Sequence, residues 1–291
     1  MTLRSRLPML SALLLSSAAV HAAAPPCHAL LREGEQGRVA VLQALACRMQ
    51  SHRLVLFGEL HGTTESPAML ADLLRAQPAA RPIRLGLEWP VELQGKVDAY
   101  FRSSGTPADR VAFAAGRDWT WYDGRMSQAW LGLLDTLRQL RQHGRDVQVF
   151  TMEPSYGSPA QVAAAGGFVK VKEAGMASAI AAQLKHAPPD ALVAALVGNY
   201  HVRIGTDQPD HASSLVYRLA ADRPMVLLPQ SHHGTFWAIL PPQNRAGVQT
   251  IHGTQAQIPA HELIVHIERG APAGASAVSI LVPSFTASPH P

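Results

Sequence analysis

The stretch LVLFGELH, Leu54 to His61, places a short apolar run directly ahead of a glycine, a glutamate and a histidine. An apolar run of this length, bounded by a turn residue, is typical of a strand buried on both faces of a parallel sheet. Similar runs occur at Ile83 to Leu87, Val147 to Thr151, Ala191 to Val197 and Met225 to Leu228. These runs predict the strands of one sheet.

Longer amphipathic stretches alternate with the predicted strands, and they have the spacing of helices. We expect helices at Ser66 to Arg75, Glu92 to Phe101, Ser127 to His143, Val171 to Lys185 and Ser213 to Ala221. Later strands are expected near Phe236 to Leu240, Leu263 to Ile267 and Val278 to Val282. This alternation predicts an α/β fold, with a mainly parallel sheet flanked by helices and a small helical insertion or cap at about residues 102–125.

The N-terminus has the features of a secretory signal peptide. Arg4 and Arg6 precede an apolar run that ends at small residues, so we expect cleavage after Ala22 and a mature single domain over residues 23–283. Pro26 lies where a lipid-modified Cys27 would need a small residue, so a soluble periplasmic protein is favoured over a lipoprotein. The tail, residues 284–291, is rich in Ser and Pro and is expected to fray.

Composition excludes two classes of partner. The hydrophobic content of 47% is ample for a packed core, while the net charge of +4 comes from scattered Lys and Arg rather than a basic patch, which argues against nucleic acid. No second apolar segment is long enough to cross a membrane.

The only two cysteines, Cys27 and Cys47, either form a disulfide in an oxidising compartment or remain thiols.

Ionisable residues follow four of the predicted strands at the point where each strand ends. Glu59 and His61 follow the first, Glu88 the second, Glu153 the third and His201 the fourth. Loops and ligands meet beyond the carboxyl ends of parallel strands, so we expect these side chains to lie close together. Glu59, His61, Glu88 and His201 are therefore the predicted catalytic residues, and Glu153 is expected nearby.

Two chemistries fit this group. His61, His201, Glu59 and Glu88 are suitable ligands for a divalent metal such as Zn, Mn, Fe or Co, which would activate water for hydrolysis. Alternatively, without metal, a glutamate-oriented histidine acts as general base and the second histidine as electrophile or acid. The residues alone leave both open.

The predicted insertion combines aromatic and basic side chains. Trp119, Trp121 and Tyr122 lie near Arg125, so this segment is either the wall of a ligand pocket or a small satellite core. Arg125 is the candidate for holding an anionic group such as a carboxylate or propionate.

Three motifs of this chain resemble the ChaN-like haem-binding uptake proteins, in the superfamily that also holds Tiki peptidases, TraB-type proteins and erythromycin esterases. The motifs are Leu56 to Gly62, Leu85 to Trp89 and Val197 to His201, supported by Gln94 to Tyr100 and Trp119 to Tyr122. The resemblance covers roughly residues 53–203, and Lys172 stands where the family usually has Arg.

The resemblance implies haem binding in iron acquisition for the ChaN branch and hydrolysis for the Tiki and esterase branches. A tyrosine would be the axial haem ligand; Tyr100, Tyr122, Tyr156 and Tyr200 are all open, and Tyr122 and Tyr200 are the preferred candidates. The main prediction is thus an exported haem or iron protein, and the alternative is a hydrolase acting through the Glu and His side chains. The expected ligand is haem or another small molecule, and a homodimer is left open.

Overall fold

A computed structural model of the protein describes residues 31–115, 124–205, 213–240, 245–255 and 257–290. The strands within these ranges are β1 (Gly34–Gly37), β2 (Leu54–Glu59), β3 (Ile83–Pro90), β4 (Val147–Glu153), β5 (Leu192–Gly198), β6 (Met225–Gln230), β7 (His233–Leu240), β8 (Arg245–His252), β9 (Glu262–Glu268) and β10 (Ser276–Leu281). The helices are α1 (Arg38–Met49), α2 (Glu65–Arg75), α3 (Gln94–Arg102), α4 (Pro107–Ala114), α5 (Gln128–Gln142), α6 (Pro159–Ala164), α7 (Phe168–His186) and α8 (Leu215–Arg218).

Eight of the described strands form one sheet in the order β1-β9-β10-β6-β2-β5-β3-β4. The strands from β10 to β4 are parallel to their neighbours, whereas β9 runs antiparallel to β10 and β1 antiparallel to β9. Strands β7 and β8 form a separate antiparallel pair. The predicted α/β fold with a mainly parallel sheet is confirmed.

The central strands are apolar along their whole length because helices cover both faces of the sheet. On one face, α2 and α5 pack their buried sides against β2, β3 and β5, with Leu70 and Leu134 fully buried in that layer. On the other face, α7 contributes Met176 and Ile180 to a second apolar layer. No helix in the described ranges is long and apolar enough to span a membrane.

Several element boundaries differ from the prediction. Strands β2, β3 and β4 extend two or three residues further than expected and include Glu59, Glu88 and Glu153. The predicted helix at 92–101 begins as a 3-10 turn over Val91–Leu93, and the one at 213–221 is short, because another 3-10 turn, Ala220–Asp222, follows α8. Strands β1 and β8 were not predicted. Their sequences, GEQG and RAGVQTIH, lack an apolar run.

The C-terminal segment packs against the body of the domain. Phe285 and Ser288 are buried, Thr64 N donates to Thr286 O, and Ser288 N donates to Gly62 O at 2.8 Å. These contacts with the loop after β2 offset the conformational entropy that the segment loses when it packs.

The described residues include part of the predicted insertion and one of the two cysteines. Helix α4 lies inside the predicted insertion, while residues 116–123 lie outside the described ranges. Cys47 is disulfide-bonded, so the thiol alternative is wrong for this residue. Cys27, the other cysteine of the chain, is outside the described residues, as is the predicted signal peptide.

Candidate functional site

The end of β2 places a glutamate and a histidine in direct contact. Glu59 is the last residue of the strand, and His61 lies two residues further on in the following turn. The Nδ1 atom of His61 lies 2.8 Å from Glu59 Oε1, which also accepts a hydrogen bond from Trp130 Nε1 at 2.8 Å. Burial raises the pKa of Glu59, and the hydrogen bond from His61 opposes this shift. Glu59 thus holds the imidazole ring of His61 in one orientation.

A β-bulge near the end of β3 brings Glu88 to the same edge of the sheet. The pairing of β3 with β4 shifts between Leu87 and Pro90, so that Glu88 and Trp89 face a single residue of β4. A bulge of this kind re-aims the side chain beside it. Glu88 Oε2 accepts a hydrogen bond of 2.7 Å from the backbone N–H of Gly198, at the end of β5.

Two buried cations lie against Glu88. Lys172 Nζ from α7 is 2.6 Å from Glu88 Oε1, and Arg125 Nη1 is 3.3 Å from the same oxygen. Both cations also contact Glu153, whose other oxygen accepts a hydrogen bond from Tyr156. Burial disfavours a charged Glu88, but His201, His61 and Lys172 together hold its pKa well below its usual value. Glu88 is therefore an ionised carboxylate.

His201 lies between two carboxylates. Its Nε2 is 3.2 Å from Glu88 Oε1, and its Nδ1 is 2.9 Å from Glu173 Oε1. Burial acts to lower the pKa of His201, but the charges of Glu88 and Glu173 and their hydrogen bonds raise it to about 9. The ring is consequently an imidazolium at neutral pH.

The two histidines lie against different oxygens of Glu88. His61 Nε2 is 3.7 Å from Glu88 Oε2, too long for a hydrogen bond. The backbone of Gly198 approaches His61 so closely that a Cβ atom there would lie 2.8 Å from His61 Nε2. The side chain of His61 is 20% exposed, against 10% for His201 and 1% for Glu88. His61 is thus the member of this group that solvent reaches most easily.

The structure brings Glu59, His61, Glu88 and His201 together, with Glu153 close by. Arg125 is buried, and its Nη1 also donates to the backbone oxygen of Glu88 at 2.9 Å, so this nitrogen holds protein groups. Of the two tyrosines predicted as haem ligands, Tyr122 lies outside the described residues and Tyr200 is half-exposed beside His201.

Sequence reasoning missed the partners that come from helices. Glu173 contacts His201, and Trp130 donates a hydrogen bond to Glu59. In the sequence, both look like ordinary helical residues. Lys172 carried one signal, its place at a family position usually held by Arg. Tyr156 follows Glu153 by three residues, and burial together with the charge of Glu153 raises its pKa.

The donor set does not suit a metal ion. His61 and Glu59 bind each other, and three cationic groups surround one oxygen of Glu88, so a further cation there would be repelled. Within the described residues, no group of three or more His, Cys, Asp or Glu side chains is arranged to hold a metal.

No protein-family model and no curated protein matches this chain. Among solved structures, a histidine-to-asparagine mutant of the erythromycin esterase EreC, in its open conformation, is similar with a TM-score of 0.55 and 10% identity, covering 81% of this chain and 92% of that one. The type III effector HopBA1 follows with a TM-score of 0.43 and 16% identity, covering 79% and 98% of the two chains. A bacterial protein toxin has a TM-score of 0.44 and 12% identity, covering 72% and 38%. The fold of this chain is erythromycin-esterase-like.

Proposed function

We propose that this protein is a metal-free hydrolase of ester bonds in which His61 is the general base. The observation that carries the proposal is the contact between His61 Nδ1 and the buried carboxylate of Glu59. Glu59 Oε1 already accepts the indole N–H of Trp130, so as an acceptor it places the hydrogen of His61 on Nδ1 and leaves Nε2 as the basic nitrogen. The similarity of the fold to an erythromycin esterase supports ester hydrolysis.

The reaction needs one proton to move twice. His61 Nε2 takes a proton from water while the water oxygen bonds to the ester carbonyl carbon. The carbonyl oxygen becomes negatively charged, and this intermediate then breaks its bond to the alcohol oxygen. The leaving oxygen receives the proton back from His61, so the products are one acid and one alcohol.

Glu88 and His201 supply the electrostatics of this scheme. Glu88 Oε2 lies 3.7 Å from His61 Nε2, where it can accept a hydrogen bond from the attacking water. The positive charge of His201, whose two ring nitrogens lie against Glu88 and Glu173, acts on the negatively charged intermediate through its electric field and donates no hydrogen bond to it. Fixed charges at a buried site stabilise such an intermediate more than the same charges in water.

Hydrolysis of 4-nitrophenyl acetate and 4-nitrophenyl butyrate by the purified protein tests the proposal. We expect His61→Asn to lower kcat at least about a hundredfold, the usual contribution of a general base. His143→Asn is the matched control, because His143 is an exposed histidine at the end of α5. Equal rates in wild type and His61→Asn would refute the proposal.

Removal of metal separates this mechanism from the metal-dependent alternative. Dialysis against a chelator should leave the wild-type rate unchanged, because His61, Glu59 and Glu88 are held by protein contacts. A rate lost in chelator and restored by Zn or Mn would favour the metal centre instead.

Haem binding and export are the remaining predictions. Haem binding, which the ChaN resemblance implies, finds no support in the fold comparison, and a haemin titration without a shifted absorption band would dispose of it. Export to the periplasm is proposed on the N-terminal sequence alone.

A further inference from the structure

A pocket of about 520 Å³ opens next to His201. Tyr200 lines this pocket, and its ring meets that of His201 edge-on with the ring centres 5.6 Å apart. The pocket lies at the carboxyl ends of β5 and β6, the same edge of the sheet as the candidate site. Its polar lining comes from Asn199, Tyr200, Arg203, Gln230, Glu268 and Ser279.

Arg203 is the unusual residue of this lining. Its guanidinium carbon lies 3.3 Å from the centre of the Tyr200 ring, so the aromatic face holds the cation in a fixed orientation. Its Nε and Nη2 atoms are buried, and in the described part of the chain neither has a hydrogen-bond partner. These two nitrogens form one edge of the guanidinium, with their N–H bonds nearly parallel.

Arg84, a buried arginine of this protein, has its two terminal nitrogens paired with a carboxylate. Arg84 makes a two-pronged contact with Asp146, at 2.9 and 2.8 Å. Buried donors without partners are uncommon because the lost hydration is not replaced, and such groups often mark a function. A carboxylate would supply the missing partner of these two buried nitrogens once the groups that cover them move aside.

We infer that this pocket binds a carboxylate through Arg203, on a molecule that has an amino or hydroxyl group next to the carboxylate. A planar guanidinium edge matches the two oxygens of a carboxylate. Glu268 also lines the pocket and accepts a hydrogen bond from Ser279. Its charge disfavours a bare anion and favours a ligand that places a hydrogen-bond donor beside its carboxylate.

The inference deepens the proposed function, and its catalytic consequence rests on that function. Tyr200 and His201 are adjacent in the 3-10 turn Asn199–Val202, so a ligand on Arg203 lies beside the imidazolium. The pocket would hold the acidic end of an ester substrate while the site cleaves the ester bond. Carboxylate binding itself does not depend on hydrolysis.

Calorimetric titration with L-alanine, L-lactate and acetate tests the binding directly. We expect saturable binding of alanine or lactate that is tighter than binding of acetate, and an affinity at least about tenfold lower in Arg203→Gln and in Arg203→Lys, which keeps the charge but loses the planar edge. Arg269→Gln is the matched control, because Arg269 is exposed beside Glu268 and does not line the pocket. Thermal unfolding confirms that each variant is folded.

A second assay links the pocket to catalysis. The 4-nitrophenyl ester of the side-chain carboxyl of L-aspartate keeps an amino group beside its free carboxylate, and 4-nitrophenyl butyrate lacks both groups. We expect Arg203→Gln to lower kcat/KM at least about tenfold for the aspartate ester only. If no ester is hydrolysed but alanine or lactate binds through Arg203, the proposed function fails and the carboxylate pocket stands. Absence of binding in wild type, or equal affinity in Arg203→Gln, would overturn the pocket.

Discussion

Glu59 and Glu88 are two buried carboxyl groups whose pKa values are shifted in opposite directions by their surroundings. Burial raises the pKa of Glu59, whereas histidine and lysine charges overcome burial and lower that of Glu88. If Glu59 orients His61, then Glu59→Gln should reduce kcat about tenfold or more, with KM nearly unchanged. Glu35→Gln, at an exposed position of the edge strand β1, is the control. A large increase in KM with constant kcat would indicate a role in substrate binding instead.

The raised pKa of His201 predicts that the stability of the protein depends on pH. Its pKa is raised from 6.5 to about 9, so its ion pairs stabilise the fold fully below pH 6.5 and lose this effect as pH rises through about 9. The stabilisation is on the order of 3 kcal/mol. Urea unfolding of wild type between pH 6 and 10 should show this loss, and His201→Asn should lack it. Parallel curves for both proteins would contradict the assigned charge.

Lys172 lies between two carboxylates that need a positive charge. Replacing it with Met leaves Glu88 and Glu153 with less neutralising charge, which should lower the free energy of unfolding by about 3 kcal/mol. Lys172→Arg keeps the positive charge and should recover much of the loss. Urea denaturation of the three proteins measures both effects. Equal stability of wild type and Lys172→Met would show that Arg125 suffices.

The four predicted site residues share a signal that their partners do not have. Glu59, His61, Glu88 and His201 lie at or just beyond strand ends, and parallel strands bring their carboxyl ends to one edge. Lys172 and Glu173 come from inside a helix, where a charged residue is ordinary. Only the packing of α7 against the sheet brings them to Glu88 and His201.

At the level of elements, two glycines near the strand ends are explained by packing between neighbouring elements. A Cβ atom at Gly58 would lie 2.4 Å from Val202 Cγ2, and one at Gly86 would lie 2.4 Å from Met152 Sδ. These two positions are small because neighbouring side chains pack over the strands, a tertiary constraint that strand periodicity does not contain.

The C-terminal segment packs against the turn that carries His61. Phe285 is buried in the core layer, and Gly62 O accepts hydrogen bonds from both Trp237 N and Ser288 N. Phe285→Ala should lower the free energy of unfolding by about 3 kcal/mol. Thermal or urea unfolding measures it, and Phe168→Ala, at a half-exposed ring, is the control. An unchanged stability would mean that this segment is frayed in solution, as its composition suggests.

For the molecule as a whole, the order of apolar runs was enough to predict a parallel α/β sheet. It was not enough to place the last strands, because β9 lies antiparallel beside β10 while β7 and β8 leave the sheet as a separate pair. The apolar runs of β7 and β9 do not reveal the direction of the strand, and β8 has no apolar run. Only contacts between distant segments distinguish these arrangements.

Export and the disulfide make a joint prediction about the whole chain. Cys47 is disulfide-bonded, and disulfides persist mainly in oxidising compartments, which agrees with the predicted signal peptide. Protein isolated from the periplasm of an expressing bacterium should begin at Ala23, and the predicted Cys27 to Cys47 link should appear in its non-reduced peptides by mass spectrometry.

Reduction of this disulfide should lower the free energy of unfolding by about 3 kcal/mol, since the closed loop is short. Cys47→Ser should lose this response to reductant. An uncleaved N-terminus, or free thiols in the isolated protein, would contradict export and separate the cellular location from the chemistry of the site.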